Sequence, residues 1–245
     1  MLLTAACWKA YGLNSMFRKP LVIFALVSCF GLAAQDRPIR VVLVGDSTVN
    51  DEGGWGPGFK ASFNEHVEVV NLAKNGRSSK SFRDEGLWAP ALTAKADYIL
   101  IQFGHNDVPG KGADRETVAG TTYKENLARY VAEARASGAV PVLVTSIVRR
   151  NFDADGKFKP DSLVPYVKAV RELAAEQNVP LMDMYAATLA QAEKLGPEGC
   201  EELNARDKDG KSDHTHLGPK GQQEIGRIAA RELVKAEPKL AVYLK

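Results

Sequence analysis

Short runs of apolar and β-branched residues alternate along the chain with longer segments that have one apolar face. The runs predict five strands, at residues 40–45, 67–72, 98–103, 140–146 and 180–184. Three of these runs contain a continuously apolar stretch, which is typical of strands buried on both faces: Val41–Val44, Ile99–Ile101 and Val142–Val144. We therefore predict a parallel sheet that helices cover on both sides.

Helical periodicity appears between the predicted strands. Residues 120–136 and residues 163–177 each place apolar side chains three and four positions apart, as a helix with one buried face does. These side chains are Tyr123, Leu127, Tyr130, Val131 and Ala134 in the first segment and Val167, Val170, Leu173 and Ala174 in the second. Gly218-Pro219 predicts the start of a last helix, which runs to about Lys235. The alternation indicates an α/β fold, a three-layer α/β/α sandwich around a five-stranded parallel sheet, with the flavodoxin-like strand order 2-1-3-4-5.

The N-terminal segment differs in character from the rest of the chain. A basic pair precedes an apolar run over residues 21–30, and small residues follow, which is the layout of a secretory signal peptide. We expect residues 1–35 to be an upstream extension and a signal peptide, and residues 36–245 to form a single domain that is secreted or periplasmic. Leu26–Cys29 also resembles a bacterial lipoprotein processing box, which would anchor the protein through a lipidated Cys29. Both routes stay open at this point.

Composition narrows the function mainly by exclusion. The net charge is +2 and no dense run of Lys and Arg occurs, which argues against a nucleic-acid partner. The apolar run near the N-terminus is too short for a membrane span, so no transmembrane segment is expected after processing. Cys200 would then be the lone cysteine of the mature domain, which excludes an intramolecular disulfide. We expect a monomer that is stabilised by its hydrophobic core.

Polar clusters follow three of the predicted strands, and a fourth precedes the last helix. In doubly wound sheets, ligands bind beyond the carboxyl ends of the strands, so these clusters are the candidates for a site. The four clusters are Gly45–Val49, Asn75–Ser79, Gly104–Asp107 and Asp213–Leu217.

Acyl transfer requires residue types that these clusters supply. Ser47 is the candidate nucleophile, His216 the base that accepts its proton, and Asp213 the group that orients the imidazole. The backbone amides of Ser47 and Gly76 and the side-chain amide of Asn106 are candidate donors to an oxyanion. Each residue alone could be a helix cap or a turn residue. Their joint occurrence at strand ends favours a hydrolytic site.

The four clusters resemble those of the GDSL or SGNH hydrolase family, which is named for Ser, Gly, Asn and His in four blocks. Flanking segments are similar to the rhamnogalacturonan acetylesterase branch of that family: Gly54–Gly56, Gly76–Phe82, Gln102–Asp107 and Arg149–Phe152. The resemblance implies a serine esterase that removes acetyl groups from a plant cell-wall polysaccharide, with acetylated rhamnogalacturonan as the expected substrate and no metal or cofactor. Fungal members of the branch carry disulfides that this mature chain cannot form, so a bacterial relative is the better comparison.

Rhamnogalacturonan contains galacturonate, whose carboxylate favours arginine partners. Arg77, Arg149 and Arg150 follow predicted strands and are the candidates, although each could be a solvated loop residue. Trp55 could stack on a sugar or pack into the core, and His105 could contact substrate or orient the loop around Asn106. For Trp88, core packing is expected.

Three other interpretations are open at the level of sequence. A metal site could form if five side chains converged, namely His105, Asp107, Asp213, His214 and His216. A broader esterase could act on acetylated xylan or on small aryl esters. A carbohydrate-binding protein that has lost catalysis could keep the same fold.

Overall fold

The computed structural model describes residues 37–245, so the predicted signal peptide and Cys29 lie outside the described residues. Five strands form one parallel sheet: β1 (Ile39–Gly45), β2 (Val67–Asn71), β3 (Tyr98–Gln102), β4 (Val140–Val144) and β5 (Leu181–Met182). Their spatial order is β2-β1-β3-β4-β5, which confirms the predicted topology. The last strand is shorter than predicted, because Asp183 caps the following helix by accepting a hydrogen bond from the amide of Ala186.

Seven α-helices surround the sheet within the described residues. They are α1 (Gly56–Ala61), α2 (Ser81–Asp84), α3 (Ala89–Thr93), α4 (Lys124–Ala136), α5 (Val164–Glu176), α6 (Met184–Glu201) and α7 (Pro219–Ala236). One turn of π-helix at Ala119–Tyr123 precedes α4, so the predicted helix over 120–136 begins with wider turns. The prediction lacked α6, which is kinked at Gly196 (φ 66°) just before Pro197. No helix among residues 37–245 is long and apolar enough to cross a membrane.

The apolar strands divide their side chains between two cores, one on each face of the sheet. Val42, Val44, Ile99 and Ile101 face one layer, where the predicted apolar stripes of α4 and α5 are buried. Val41, Leu43, Leu100 and Val142 face the other layer, together with apolar residues of α1 and α7. This alternation explains why the strands read as continuous apolar runs. It also produces the three-layer α/β/α sandwich.

Helices α1 and α7 cross at a contact between two glycines. A Cβ atom on Gly226 would overlap the backbone of Gly58 and Phe59, and a Cβ on Gly58 would overlap the backbone of Gln222 and Gln223. The two helices therefore approach backbone to backbone. Since α1 follows the Ser47 cluster and α7 follows the Asp213 cluster in sequence, this close crossing helps to bring the two clusters together.

A two-stranded antiparallel hairpin precedes α7, formed by β6 (Asn204–Arg206) and β7 (Ser212–Leu217). It was absent from the prediction, which placed Asp213–Leu217 only as a polar cluster before the last helix. The pairing jumps from Asn204↔Leu217 to Ala205↔Asp213, so residues 214–216 bulge out of the ladder. This bulge carries one of the predicted catalytic residues, His216.

Candidate active site

Ser47 lies in a tight turn directly after β1, at the carboxyl edge of the sheet. Asp46 shapes this turn, because its Oδ1 accepts hydrogen bonds from the backbone amide and the hydroxyl of Thr48, at 2.9 and 2.7 Å. Gln102, the last residue of β3, donates to the Thr48 hydroxyl at 2.7 Å and ties the turn to the centre of the sheet. Every residue from Val41 to Asn50 except Ser47 is buried, so the turn presents Ser47 to solvent.

The bulge in β7 connects Asp213, His216 and Ser47 by hydrogen bonds. On a regular strand, residues three apart point to opposite faces. Here Asp213 turns back along the bulge, and its Oδ1 accepts the backbone amides of Thr215 and His216 at 2.9 and 3.1 Å. Its Oδ2 lies 2.7 Å from His216 Nδ1, and His216 Nε2 lies 2.8 Å from Ser47 Oγ. The structure thus brings the three predicted triad residues into one chain of contacts.

The charges of these three side chains favour proton transfer from Ser47 to His216. Burial by itself would raise the pKa of Asp213, but the hydrogen bonds from the His216 side chain and from the amides of His216 and Thr215 outweigh it and lower that pKa. An ionised Asp213 accepts a hydrogen bond from the protonated Nδ1 of His216. The unprotonated Nε2 of His216 is then free to accept a hydrogen bond from the Ser47 hydroxyl. The arrangement can therefore generate a serine nucleophile.

Gly76 and Asn106 line the same cleft as Ser47. Gly76 has a φ of 74°, in the left-handed region that favours glycine, and this turns the chain after β2. The Asn106 side chain donates one hydrogen bond to the carbonyl of Arg77 at 3.2 Å, which fixes its amide and leaves a second N–H to donate. Two of the three predicted oxyanion donors thus line the cleft beside the serine.

Asp107 joins the loops that carry Gly76 and Asn106. It is fully buried and accepts hydrogen bonds from the amide and hydroxyl of Ser79 and from the hydroxyl of Thr117. Burial raises the pKa of Asp107 to about 7, against the lowering effect of the hydrogen bonds from Ser79 and Thr117. The carboxyl group therefore acts as a clamp between two loops.

Three buried tyrosines support the same loops from the helices. Tyr123 donates to the carbonyl of Phe103 at 2.8 Å, Tyr130 to that of Ser79 at 3.0 Å and Tyr166 to that of Asp107 at 3.0 Å. Tyr123 and Tyr130 lie on the apolar stripe that the sequence predicts, where this role of their hydroxyls was missed. The residue type could have indicated it, because the hydroxyl of a buried tyrosine usually finds a hydrogen-bond partner.

Of the two roles considered for His105, substrate contact does not fit the structure, because this side chain is only 3% exposed. Its Nδ1 lies 3.7 Å from Asp46 Oδ2, and neither ring nitrogen has a hydrogen-bond partner within residues 37–245. Burial, followed by the nearby charges of Arg149, His216, Arg150 and Lys111, holds the pKa of His105 well below its usual value. His105 is therefore a neutral, buried neighbour of the Ser47 turn.

Of the two roles considered for Trp55, the structure shows core packing and not stacking on a sugar. Its ring is completely buried, its Nε1 donates to Gln102 Oε1 at 3.0 Å, and it packs edge-on against Phe59. Trp88 is in the core as predicted, and its Nε1 donates to Glu133.

Arg150 is buried beneath the catalytic hairpin, so its predicted role as a substrate contact is wrong. Its guanidinium donates to the carbonyl of His216 at 2.7 Å and to Oδ1 of Asn204, and its backbone amide donates to the carbonyl of His214 at 2.9 Å. Burial lowers the pKa of Arg150 to about 10. The carbonyls of His214 and His216 lie in the bulge, where the partner strand offers them no hydrogen bond. Arg150 donates to them instead. It therefore holds His216 in place.

The remaining predicted arginines do not line the Ser47 cleft. Arg149 forms an ion pair with Asp161 at 2.7 Å and is mostly buried. Arg77 binds Glu85 through Nε and Nη2 and the carbonyl of Asn75 through Nη1. It lines a depression next to the serine cleft. Of the two, Arg77 keeps an exposed side chain that a substrate could reach.

An open cleft of about 430 Å³ surrounds Ser47. The hairpin contributes Arg206 to its lining, and the loop after β1 contributes Glu52. The depression that Arg77 lines, of about 470 Å³, shares Glu52 and Asn75 with this cleft. Arg206 was absent from the predicted site, because it precedes the Asp213 cluster by seven residues and only the hairpin brings the two together.

The side chains of the metal hypothesis do not converge. Within residues 37–245, no group of three or more His, Cys, Asp or Glu side chains could hold a metal ion. Asp107 is directed toward Ser79 and Thr117, and the ring of His214 lies 3.1 Å from Asn151 Oδ1.

Comparisons with known proteins agree with this geometry. The sequence model of the GDSL-like Lipase/Acylhydrolase family matches residues 43–224. The chain is 39% identical over 211 residues to rhamnogalacturonan acetylesterase RhgT of Bacillus subtilis, with 79% of this chain and 89% of that protein covered. It is 31% identical over 223 residues to a rhamnogalacturonan acetylesterase of Emericella nidulans, with 79% of this chain and 84% of that protein covered. The bacterial protein is the more similar of the two.

A solved structure shares the fold. Protein YXIM of Bacillus subtilis matches with a TM-score of 0.69 and 25% identity. The match covers 84% of this chain but only 58% of that protein, so this chain spans little more than half of its length. The family match extends over most of the described residues, from within β1 into α7. The chain belongs to the GDSL-like lipase/acylhydrolase family and is a carboxylic ester hydrolase with a Ser–His–Asp triad.

Proposed function

We propose that this protein removes acetyl groups from a plant cell-wall polysaccharide, with acetylated rhamnogalacturonan as its substrate. The observation that carries the proposal is the continuous contact from Asp213 through His216 to Ser47, at 2.7 and 2.8 Å, on the wall of an open cleft. The two acetylesterase relatives, each covering 79% of the chain, favour this substrate over other esters.

In the acylation half-reaction, His216 Nε2 accepts the proton of Ser47 Oγ as that oxygen attacks the acetyl carbonyl carbon. The carbonyl oxygen becomes an oxyanion, for which the amides of Ser47 and Gly76 and the free N–H of Asn106 are the donors. The tetrahedral intermediate then collapses. The bond to the sugar oxygen breaks, and that oxygen takes the proton from His216. The acetyl group stays on Ser47 as an ester.

Deacylation repeats these steps with water in place of the serine. His216 accepts a proton from the attacking water, the same donors bind the new oxyanion, and the ester bond to Ser47 Oγ breaks. Ser47 recovers its proton from His216, and acetate leaves. The carboxylate of Asp213 stays ionised and stabilises the imidazolium that forms in each half-reaction.

The shape of the cleft supports a polymeric substrate. An acetyl group is small, yet the cleft of about 430 Å³ is continued by the depression of about 470 Å³ through the shared residues Glu52 and Asn75. Sugar units on either side of the acetylated unit can therefore lie along the surface while the ester reaches Ser47.

The test is acetate release by the wild type and by Ser47→Ala. Three substrates are compared: acetylated rhamnogalacturonan, acetylated xylan and an aryl acetate. We expect release from rhamnogalacturonan that survives EDTA and disappears in the variant. Release from xylan or from the aryl ester alone would contradict the rhamnogalacturonan assignment.

We also propose that residues 1–35 direct export and are removed. The basic, apolar and small residues of this segment support a signal peptide. N-terminal sequencing of the mature protein tests the proposal. A start near Gln35 is expected, a lipid-modified start at Cys29 would indicate the anchored form, and an intact Met1 or Met16 would contradict export.

A further inference from the structure

Arg206 is the one arginine or lysine among the described residues that line the Ser47 cleft, and its charge has no part in the proposed chemistry. It is the last residue of β6, and its side chain is 53% exposed. The hairpin pairs it with Ser212, next to Asp213, so it lies beside the triad in the fold. A cation at this point can reach a substrate whose ester sits at Ser47.

The partners of Arg206 orient it without using all its donors. Nη1 of Arg206 lies 2.7 Å from Oε1 of Glu201. The other carboxylate oxygen of Glu201 accepts hydrogen bonds from the side chains of Ser212 and Asn204, so the glutamate is itself held in place. A guanidinium has five N–H donors, and one monodentate ion pair leaves most of them for a ligand.

The arginines predicted from sequence lack this combination of position and free donors. Arg150 is buried under the hairpin, and Arg149 is paired with Asp161 outside the cleft lining. Arg77 uses Nε, Nη1 and Nη2 on Glu85 and Asn75. Arg206 is therefore the arginine best placed for a substrate group at the serine.

We infer that Arg206 binds a carboxylate of the polysaccharide and makes the enzyme selective for acidic sugar chains. The inference rests on the proposed function and deepens it. Glu52 lines the same cleft, accepts a hydrogen bond from the side chain of Asn75, and repels an anion placed next to it.

The test uses competitive inhibition of aryl acetate hydrolysis, so that it does not require turnover of the polysaccharide. The probes are a deacetylated rhamnogalacturonan oligosaccharide and the same oligosaccharide with its carboxyl groups reduced to alcohols. A charge-assisted hydrogen-bonded pair is worth about 10- to 100-fold in affinity. We expect the wild type to bind the acidic probe more tightly than the reduced probe by that factor.

With each inhibition constant measured against the variant's own hydrolysis of the aryl acetate, Arg206→Gln should lose this preference. Arg206→Lys should keep part of it. The control is Arg227→Gln, which removes one exposed positive charge from α7, away from the cleft, and should keep the full preference. The inference is overturned if the wild type binds both probes equally or if Arg206→Gln retains the preference. A wild type that prefers the acidic probe but releases no acetate from rhamnogalacturonan would instead contradict the substrate proposal.

Discussion

Replacing Arg150 by methionine tests how the catalytic hairpin is held. The change keeps a long apolar side chain and removes the donors to the carbonyl of His216 and to Asn204. A buried acceptor without a donor costs about 1–3 kcal/mol. The loss is partly offset because a buried charge no longer has to be desolvated. We expect Arg150→Met to lower the free energy of unfolding by about 2–4 kcal/mol.

The same change should reduce turnover more than binding. The backbone amide of residue 150 still donates to His214, so the bulge stays attached while His216 loses its carbonyl partner. A shift of a catalytic group by about 1 Å can cost about 10²-fold in rate. We expect kcat for an aryl acetate to fall about 10- to 100-fold with little change in KM, because Arg150 does not line the cleft.

Arg171→Met is the matched control. Arg171 forms an exposed ion pair with Asp183, and such a pair contributes about 0–1 kcal/mol. Urea denaturation gives the stability of each variant, and steady-state kinetics are measured where both variants are fully folded. A folded Arg150→Met enzyme with the wild-type kcat, or one whose defect lies wholly in KM, would refute the positioning role.

Three other changes test separate parts of the structure. Asp213→Asn should lower kcat about 10⁴-fold in kinetic assays while the protein stays folded, because the amide stabilises the wrong tautomer of His216; a tenfold loss or less would contradict the triad. Gly226→Val should destabilise the fold by about 3 kcal/mol or more in thermal unfolding, because a side chain overlaps α1. Gly120→Ala, where a Cβ meets nothing within 4 Å, should change stability little; equal effects would exclude the tight helix crossing. The pKa of Asp107 is raised from 3.8 to about 7, so its protonated form favours the folded state, and this stabilisation is lost as pH rises through about 7. Urea denaturation from pH 4 to 8 should therefore show a shallower decline in Asp107→Asn than in the wild type, and parallel curves would contradict the raised pKa.

The sheet and the polar edge could be predicted because their sequence signals are local. Continuous apolar runs such as Val41–Val44 identify buried parallel strands. The fold rule then places the polar clusters at one edge, where Ser47, Gly76 and Asn106 indeed lie together. Asp213 and His216 were found by residue type and spacing, since an imidazole and a carboxylate three residues apart suit a triad.

The hairpin and the arginines could not be predicted because they depend on long-range contacts. The segment Ser212–Leu217 is mostly polar and shows no alternation of apolar and polar residues, so it lacks the sequence signal of a strand. In the structure, three of its residues bulge out of the ladder. Arginine is a residue type that usually lies on the surface. Arg150 is nevertheless buried, because it donates a hydrogen bond to the carbonyl of His216, which lies 66 positions away in the sequence. The sequence left the roles of Trp55 and His105 open for the same reason, because burial is decided by the packing of distant segments.

In the proposed mechanism, Ser47 carries the acetyl group during turnover. The direct measurement is mass spectrometry of the enzyme, quenched in acid within milliseconds of mixing with acetylated rhamnogalacturonan and digested to peptides. We expect the peptide containing Ser47 to gain one acetyl group during turnover. Asp213→Asn should accumulate this acetyl group more slowly, and Ser47→Ala should gain none. Acetate release by a wild type whose Ser47 peptide is never acetylated, or by Ser47→Ala at the wild-type rate, would contradict the covalent mechanism.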